Sequence, residues 1–462
     1  MTGATEAIAS FISRTSIADL PRDATEKSAK AIADTFAVIL AGAAADVAEP
    51  LLRYAGAGHE RGPSPILGTG LSASPETAAL VNGTFGHGLD YDDVLSIMPA
   101  HPSVVIVAAA LASLDGERVG GRSFIEAYVL GVEIGGKIGL GMTQGHYRRG
   151  FHATGTLALF SAVAALCKLH RLDVAATRQA FGIAASMSSG LRRNFGTMTK
   201  PLHSGIAARS ALTALRLAQA GFTAAPDILE APSGFFSTYG VEESDPEVAV
   251  SGLGRPFVIT DPGLALKKFP CCYATHRAMD GLLALRTKLG FEADGVEKII
   301  CRMPPGGMRV LTFPRPVTGL EGKFSLPYTL AAGALDGGYS LESFTDAAVR
   351  RTEISKLYER IDAAEHPSSQ GDDPDFEKRS SGSRGFVEVE VKLRDGRSDK
   401  VRVDKAPGAP GRDMSWEEME AKFADCARQA GRIGEKPAAQ VFKLIRKLDQ
   451  VDDVAKVVDL LR

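Results

Sequence analysis

The first 240 residues repeat one pattern, a helical spacing of small apolar side chains, and this pattern limits the possible folds more than any other feature. In SAKAIADTFAVILAG, apolar residues from Ala29 to Leu40 recur with the i, i+3, i+4 spacing of a helix that faces a core, and Gly42 follows as a stop. Several segments are apolar on all sides, which favours helices packed inside a large bundle. Similar segments lie at 75–86, 102–114, 123–140, 153–169, 176–189 and 203–220.

The character of the sequence changes near residue 255. A strand is predicted within 295–306, and the alternating segments 386–393 and 400–405 predict a hairpin. The polar segment 366–385 is expected to be a mobile loop. Helices are predicted at 271–289, 325–335 and 342–361. This part of the chain therefore has the pattern of an α+β module.

Helical patterning returns near the carboxyl end. Ser415, followed by Glu417 and Glu418, marks a helix start, and 440–462 is helical again. A chain of 462 residues suits two or three domains. We therefore predict a mainly α fold, with a large all-helical bundle domain built from both chain ends and a smaller inserted α+β domain. The expected bounds are 1–266 with 406–462 for the helical domain, and 267–405 for the α+β domain.

Composition excludes several classes of function. Hydrophobic residues make up 45% and charged residues 23% of the chain, the balance of a soluble protein with a sizeable core. The formal net charge of −2 argues against nucleic acid or an anionic membrane as a partner. The longest apolar runs are too short to span a bilayer, and the first residues lack the pattern of a secretion signal. Five irregularly spaced cysteines favour a reduced, cytoplasmic protein.

The stretch HGLDYDDVLSIMPAHPS, residues 87–103, concentrates acidic and imidazole groups. Its aspartates Asp90, Asp92 and Asp93 could bind Mg²⁺, because clustered carboxylates suit hard cations. They could instead cap the helix that is expected to start after His101. His87 and His101 favour a third interpretation, a catalytic or substrate-orienting role, because imidazole exchanges protons near neutral pH.

Two other stretches place cations and histidines just before predicted helices. Tyr147, Arg149 and His152 precede one apolar helix, and Lys200 and His203 stand at the start of another. Helix amino termini and cations together suit carboxylate groups, so a shared anion site is a plausible interpretation. Solvated surface turns are the alternative for each stretch taken alone.

The stretch LALKKFPCCYATHRAMDG, residues 264–281, carries further reactive groups. Cys272 and His276 lack a second ligand pair at zinc-like spacing. Cysteine catalysis would need a partner that stabilises the thiolate, and buried structural cysteine is the commoner case. Lys267 could form a Schiff base, but no phosphate cradle accompanies it. This stretch therefore gives little support for a zinc site or for a Schiff-base cofactor.

Taken together, these stretches resemble the MmgE/PrpD family, which includes 2-methylcitrate dehydratase, cis-aconitate decarboxylase and iminodisuccinate epimerase. The resemblance implies a large helical domain formed by both chain ends, a smaller α+β domain, a homodimer, and no organic cofactor or metal. The motifs that carry the resemblance run along most of the chain: NGTFGHGLDYDD…HPS, GFHATGT, AFGIAASMSSGL, GTMTKPLHSG, LKKFPCCYATH, KFSLPYTLA and MSWEEMEAKF.

The resemblance also assigns positions to an active site. Val94 stands where the decarboxylases have threonine and Cys272 where they have histidine, and both departures weaken a decarboxylase reading. The decarboxylase positions carried over are Asp90, His101, His152, Lys200, Lys267 and Tyr328. Residues expected to contact substrate are Tyr147, Arg149, His203 and Cys272.

These positions suggest a division of roles around a carbanion. Lys200, Lys267 and Arg149 would hold substrate carboxylates and stabilise developing charge. His101 and His152 would act as base and acid, and Asp90 would orient His101. Tyr328 would close the site or donate a proton.

The expected function is a cofactor-independent lyase that moves a proton beside a carboxylate of a small di- or tricarboxylate. A 2-methylcitrate dehydratase-like reaction is favoured over epimerisation of a dicarboxylate, with decarboxylation of cis-aconitate third. A non-catalytic carboxylate-binding protein and a Mg²⁺-dependent helical synthase are alternatives from other classes. The expected partners are a small polycarboxylate and a second copy of the chain.

Overall fold

A computed structural model describes residues 3–57, 62–114 and 116–461. The fold is mainly α, as predicted. Its contacts divide the chain into a first unit, Met1–Leu266 with Ser415–Arg462, and a second unit, Lys267–Met414. In the described part of the chain, no helix has both the length and the apolar character needed to cross a membrane.

The second boundary lies later than the predicted 406. Arg412 pairs with Asp280 at 2.7 Å, which ties the segment after the last strand to the second unit. The chain leaves this unit only at Ser415, where a helix begins. Independent folding of each unit as a domain stays a prediction.

The amino-terminal part of the first unit consists of helices and one short antiparallel hairpin. Helix α5 is buried along its entire length, which agrees with the apolar-all-round pattern of its sequence. The hairpin of β1 (Ser64–Ile66) and β2 (Leu71–Ala73) was not predicted, because each strand has only three residues. The helices are α1 (Ala4–Arg14), α2 (Ala24–Gly42), α3 (Ala48–Ala57), α4 (Pro75–Gly88), α5 (Pro102–Ala112), α6 (Gly121–Arg148), α7 (Ala153–Thr156), α8 (Ala158–Leu169), α9 (Val174–Ala185), α10 (Thr199–Gln219), α11 (Phe235–Tyr239) and α12 (Pro246–Val250).

Two glycines set the close packing of α4 against α10. A Cβ added to Gly83 would lie 2.8 Å from the Cα of Gly205. One added to Gly205 would lie 2.2 Å from the carbonyl oxygen of Leu80. Only glycine permits this approach, which brings the end of α4 to the start of α10.

The second unit combines a four-stranded sheet with short helices. The sheet order is β4-β3-β5-β6, with β3 and β4 parallel and the other pairs antiparallel. The predicted hairpin is confirmed as β5 and β6, and β5 buries every second side chain from Val387 to Leu393. The elements are α13 (His276–Leu289), β3 (Val296–Met303), α14 (Gly319–Gly322), α15 (Leu326–Asp336), α16 (Asp346–Val349), α17 (Thr352–Tyr358), β4 (Ile361–Glu365), β5 (Val387–Leu393) and β6 (Ser398–Val403).

The structure adds detail to two predictions for this unit. The segment 342–361, predicted as helical, contains the short helices α16 and α17 and ends at strand β4, whose residues pair with β3. The polar segment 366–385 is anchored at its end, because the buried Arg277 donates to the carbonyls of Gly385 (2.7 Å) and Arg384 (2.9 Å). A buried guanidinium needs hydrogen-bond acceptors of this kind. The polar composition of the segment did not indicate that its end would supply them.

The chain returns to the first unit through a capped helix. The Ser415 side chain accepts from the backbone N–H of Glu418, and the Glu418 carboxylate accepts from the backbone N–H of Ser415. This capping box confirms the predicted start. The closing helices are α18 (Trp416–Ala430), α19 (Glu435–Arg446) and α20 (Ala455–Asp459).

Candidate active site

The loop between α4 and α5 carries the acidic stretch singled out in the sequence. Its backbone is held at several points. Asp90 has a positive φ of 52°, a left-handed conformation that aspartate tolerates better than most residues. Val94 forms two backbone hydrogen bonds with Ala265, of 2.8 and 2.9 Å. His101 is the residue just before α5, and its backbone N–H donates to the hydroxyl of Thr154.

A chain of buried polar groups starts in this loop and crosses to α10. Asp92 lies 2.9 Å from Nδ1 of His87, and Nζ of Lys200 lies 2.8 Å from Nε2 of the same ring. Lys200 also donates to Asp90 at 2.6 Å. Because an ammonium can only donate, Nε2 of His87 accepts and Nδ1 carries the proton that Asp92 receives. These hydrogen bonds therefore fix the tautomer of His87 and hold the Lys200 ammonium between His87 and Asp90.

His101 lies beside this chain. Its Nδ1 is 3.5 Å from an Asp92 oxygen, and its ring centre is 4.4 Å from that of His87. The predicted partner of His101 is Asp90, whose carboxylate accepts from Lys200 at 2.6 Å. Asp92 is a second carboxylate near the His101 ring, and the orienting role of Asp90 stays a prediction.

His152 and His203 form a second imidazole group. Their Nδ1 atoms are 2.9 Å apart, and the His152 ring is stacked 5.6 Å from that of His87. Burial, aided by the charge of Lys200, lowers the pKa of His152 well below its usual value. Burial and Lys200 also lower the pKa of His203 to about 4. Both rings are therefore neutral bases at neutral pH.

Gly190 supports this histidine pair from behind. Its carbonyl accepts from the backbone N–H of His152 at 3.0 Å. Its φ is +138°, and a Cβ there would lie 3.2 Å from Cγ of His203. Glycine is needed for both the backbone angle and the space.

Four of these side chains have the composition of a metal site. Ligand atoms of His87, Asp90, Asp92 and His101 all lie within 4.8 Å of one another. Imidazole and carboxylate would suit a divalent ion. The ammonium of Lys200, however, is already bonded to His87 and Asp90. His87 and Asp90 therefore already bind the ammonium of Lys200, and a metal ion would have to displace this ammonium.

A further polar network lies next to the loop. Asp93 accepts from the Ser103 hydroxyl at 2.5 Å, and Ser103 lies 2.5 Å from the Tyr128 hydroxyl. Complete burial raises the pKa of Asp93 to about 8. On another side of the loop, Lys422 donates to the carbonyl of Tyr91 at 2.9 Å. The loop is thus held by groups from α5, α6 and α18.

Two predicted substrate contacts lie at the end of α6. The Arg149 guanidinium donates to the carbonyl of Gly240, and its side chain is exposed. Among the described residues, no contact joins Arg149 to the histidines or Lys200, because it follows the last turn of the helix. Tyr147 is half-buried under the Arg192 guanidinium, 4.1 Å from its ring. A role in binding carboxylate is not supported by these contacts of Arg149.

Lys267, Cys272 and Tyr328 belong to the second unit. Lys267 is buried, and the Cys272 N–H donates to the carbonyl of Lys323 at 3.0 Å. Tyr328 is fully buried in the core of this unit, and its hydroxyl donates to the carbonyl of Ser343. These contacts of Tyr328 are those of a core residue, so they do not support the predicted proton donor. The roles of Lys267 and Cys272 stay predictions.

Two residues of the cluster were singled out in the sequence but were not carried into the final set of predicted site residues. His87 and Asp92 lie in the stretch that drew attention, but the helix was predicted to end at residue 86. In the structure α4 continues to Gly88, which places His87 in its last turn. The sequence signal for this pair was the spacing of five residues between His87 and Asp92. The contact of His87 with Lys200 could be found only in the folded structure.

A mainly α protein with a buried lysine among carboxylates and histidines is the class that fold and site define. Models of the MmgE/PrpD N-terminal domain and C-terminal domain match residues 6–247 and 269–450. The chain belongs to the MmgE/PrpD family.

Curated relatives cover nearly the entire chain. Cis-aconitate decarboxylase of Homo sapiens is 26% identical over 470 residues, which is 99% of this chain and 94% of the relative. The mouse protein of the same name, from Mus musculus, is 26% identical over 471 residues, 99% of this chain and 93% of the relative. That of Aspergillus terreus is 25% identical over 485 residues, 99% and 96%.

Proposed function

We propose that this protein is a cofactor-independent lyase that moves a proton beside a carboxylate of a small di- or tricarboxylate. The observation that carries the proposal is the buried Lys200, which lies among ionisable carboxylates and two groups of histidines. A carbanion beside a carboxylate is prohibitively unstable in water. A fixed cation in a buried site stabilises the charge that develops on the carboxylate oxygens.

We assign catalytic roles to His152, Lys200 and His101 from their charges and contacts. Neutral His152 is the base that takes the proton from carbon, because its pKa is lowered well below neutral pH. Lys200 stabilises the resulting aci-carboxylate. We assign His101, whose Nδ1 lies 3.5 Å from an Asp92 oxygen, as the proton donor to the leaving hydroxyl group.

Dehydration of a 2-methylcitrate-like substrate uses both a base and an acid, and it is our first choice. Loss of a carbon-bound proton to His152 and loss of hydroxide, protonated by His101, give the alkene and water. Epimerisation of a dicarboxylate is the alternative, in which the same carbanion is protonated again on its other face. Both reactions start with proton removal, which suits neutral imidazoles.

Decarboxylation of cis-aconitate is a second candidate, favoured by a different observation. The curated relatives described above carry that name over nearly the whole chain. Decarboxylation removes CO₂ and then needs a proton donor rather than a base. Val94 and Cys272, which replace threonine and histidine of the decarboxylases by the family resemblance, count against it.

The proposal is tested by ¹H NMR in D₂O with 2-methylcitrate, citrate, cis-aconitate and iminodisuccinate. We expect loss of water from a hydroxylated tricarboxylate, with solvent deuterium entering beside a carboxylate. Deuterium exchange without a new product would favour the epimerase, and formation of itaconate would favour the decarboxylase. Binding with neither exchange nor product would leave a non-catalytic carboxylate-binding protein.

A matched pair of variants assigns the base. His152→Ala should lower exchange by roughly 10²- to 10⁴-fold, the usual contribution of a general base. His170→Ala should not, because His170 bonds to Ser113 in another part of the first unit. A homodimer and a cytoplasmic location stay predictions, and the first is tested by sedimentation.

A further inference from the structure

The His152–His203 contact has a consequence for proton movement. Two nitrogens 2.9 Å apart cannot both carry a proton or both lack one in a stable contact. Since both rings are neutral at pH 7, one Nδ1 donates and the other accepts. The two imidazoles therefore have opposite tautomers.

Each imidazole also has a second nitrogen. Among the residues that the structure describes, no side chain or backbone group hydrogen-bonds to Nε2 of His152 or of His203. The His203 residue is 5% exposed, while His152 is 1% exposed. The pair thus has two open ends, and His203 is the more exposed residue of the two.

We propose that His152 and His203 form a two-imidazole relay that carries the substrate proton out of the site. The proposal rests on the function proposed above and adds a role for His203. In the resting state His152 carries its proton on Nδ1 and His203 on Nε2. Nε2 of His152 takes the proton from carbon, whose electron pair moves to the carboxylate. The Nδ1 proton of His152 passes to Nδ1 of His203, and the Nε2 proton of His203 passes to water.

The surrounding charges support passage rather than storage of the proton. The charged or titratable groups that lower the pKa of His152 are Lys200, His87, His203 and His101. Lys200 also lowers the pKa of His203. The positive charge of Lys200 opposes an imidazolium at either ring. A proton that arrives at His152 is therefore driven onward. After the product leaves, water returns a proton to Nε2 of His203, the Nδ1 proton of His203 passes back to Nδ1 of His152, and the Nε2 proton of His152 passes to water, which restores both tautomers.

The first test needs no substrate. Long-range ¹H–¹⁵N NMR of the full-length protein at pH 7 should show one ring protonated on Nδ1 and its neighbour on Nε2, with both signals changed in His203→Asn. Both rings should stay neutral at pH 5.5. Identical tautomers, or an imidazolium at pH 7, would overturn the relay whatever the activity of the protein.

The second test separates relay from positioning. His203→Asn offers an acceptor to His152 but cannot pass a proton on, while His203→Ala leaves space for free imidazole. Turnover should fall by roughly 10- to 100-fold in both, with KM within about threefold of wild type. Added imidazole should restore His203→Ala at least tenfold and leave His203→Asn unchanged.

The control is His366→Ala, an exposed histidine of the second unit that bonds to Ser368. It should keep wild-type turnover with no response to imidazole. Full activity of His203→Asn, or no imidazole response of a folded His203→Ala, would reduce His203 to a positioning residue and overturn the relay. If wild type itself exchanges no proton, the proposed function fails, and the tautomer measurement still decides whether the pair exists.

Discussion

Replacing Lys422 by methionine tests how strongly the carboxyl-terminal helix stabilises the loop of the candidate site. The Lys422 ammonium lies 2.6 Å from Asp34, and their side chains are 3% and 1% exposed. It also donates to the carbonyl of Tyr91, between Asp90 and Asp92. Methionine keeps most of the apolar stem and removes the charge, so the change isolates the polar contacts.

The expected loss in the free energy of unfolding follows from burial. Breaking one side of a buried ion pair costs about 3–5 kcal/mol, because the Asp34 carboxylate stays buried after the Lys422 ammonium is removed. Adding Asp34→Asn should recover most of that loss, since the double variant buries no unpaired charge. Lys27→Met is the matched control: Lys27 lies in the same helix as Asp34 and pairs with Asp23 at 2.8 Å, but both side chains are about a third or more exposed. It should cost less than about 1 kcal/mol.

Urea unfolding read by tryptophan fluorescence measures these differences. The single tryptophan of the sequence, Trp416, lies in the first turn of α18, the helix that carries Lys422. If Lys422→Met unfolds at the same urea concentration as Lys27→Met, the ion pair does not stabilise this helix and the reasoning from burial fails.

Three further predictions concern packing, pH and metal. Gly205→Ala should lower the free energy of unfolding by about 1–3 kcal/mol in urea titrations and reduce turnover, because the added Cβ would clash with the carbonyl of Leu80. Unchanged stability would contradict the close contact between α4 and α10. The pKa of Asp93 is raised from 3.8 to about 8 in the folded state. The contribution of the protonated carboxyl to stability is therefore full below pH 4 and is lost as pH rises towards 8. Asp93→Asn should flatten this pH dependence of the unfolding midpoint between pH 5 and 8, and an unchanged slope would contradict the prediction. EDTA should leave turnover unchanged, because Lys200 supplies the cation; loss of activity restored by a divalent ion would show the opposite.

Regular patterns in the sequence predicted the elements that hold the site. The apolar spacing around Phe36 predicted α2, and the alternation of 386–393 predicted β5, because both elements bury one regular face. Strand β4 was missed, since three of its five residues are half-buried, two are exposed and none is fully buried, and since it follows a helical pattern. Short elements take their form from their neighbours rather than from their own spacing.

The site was predictable in its parts but not in its pairings. The sequence placed His101, His152, Lys200 and His203 in separate stretches near helix starts. The sequence did not show which carboxylate binds Lys200, and the residue that does, Asp90, lies at a left-handed turn. A local backbone angle of this kind leaves no periodic signal in a sequence.

The central claim is that the cation of Lys200 drives proton removal beside a carboxylate. The most direct measurement is the rate at which solvent deuterium enters a tricarboxylate substrate with wild type, Lys200→Met and Lys200→Met/Asp90→Asn, the last of which leaves no unpaired charge at that position. We predict that wild type exchanges and that both variants are slower by roughly 10²- to 10³-fold, while Lys27→Met exchanges as wild type. Exchange at the wild-type rate by the folded double variant would contradict the account.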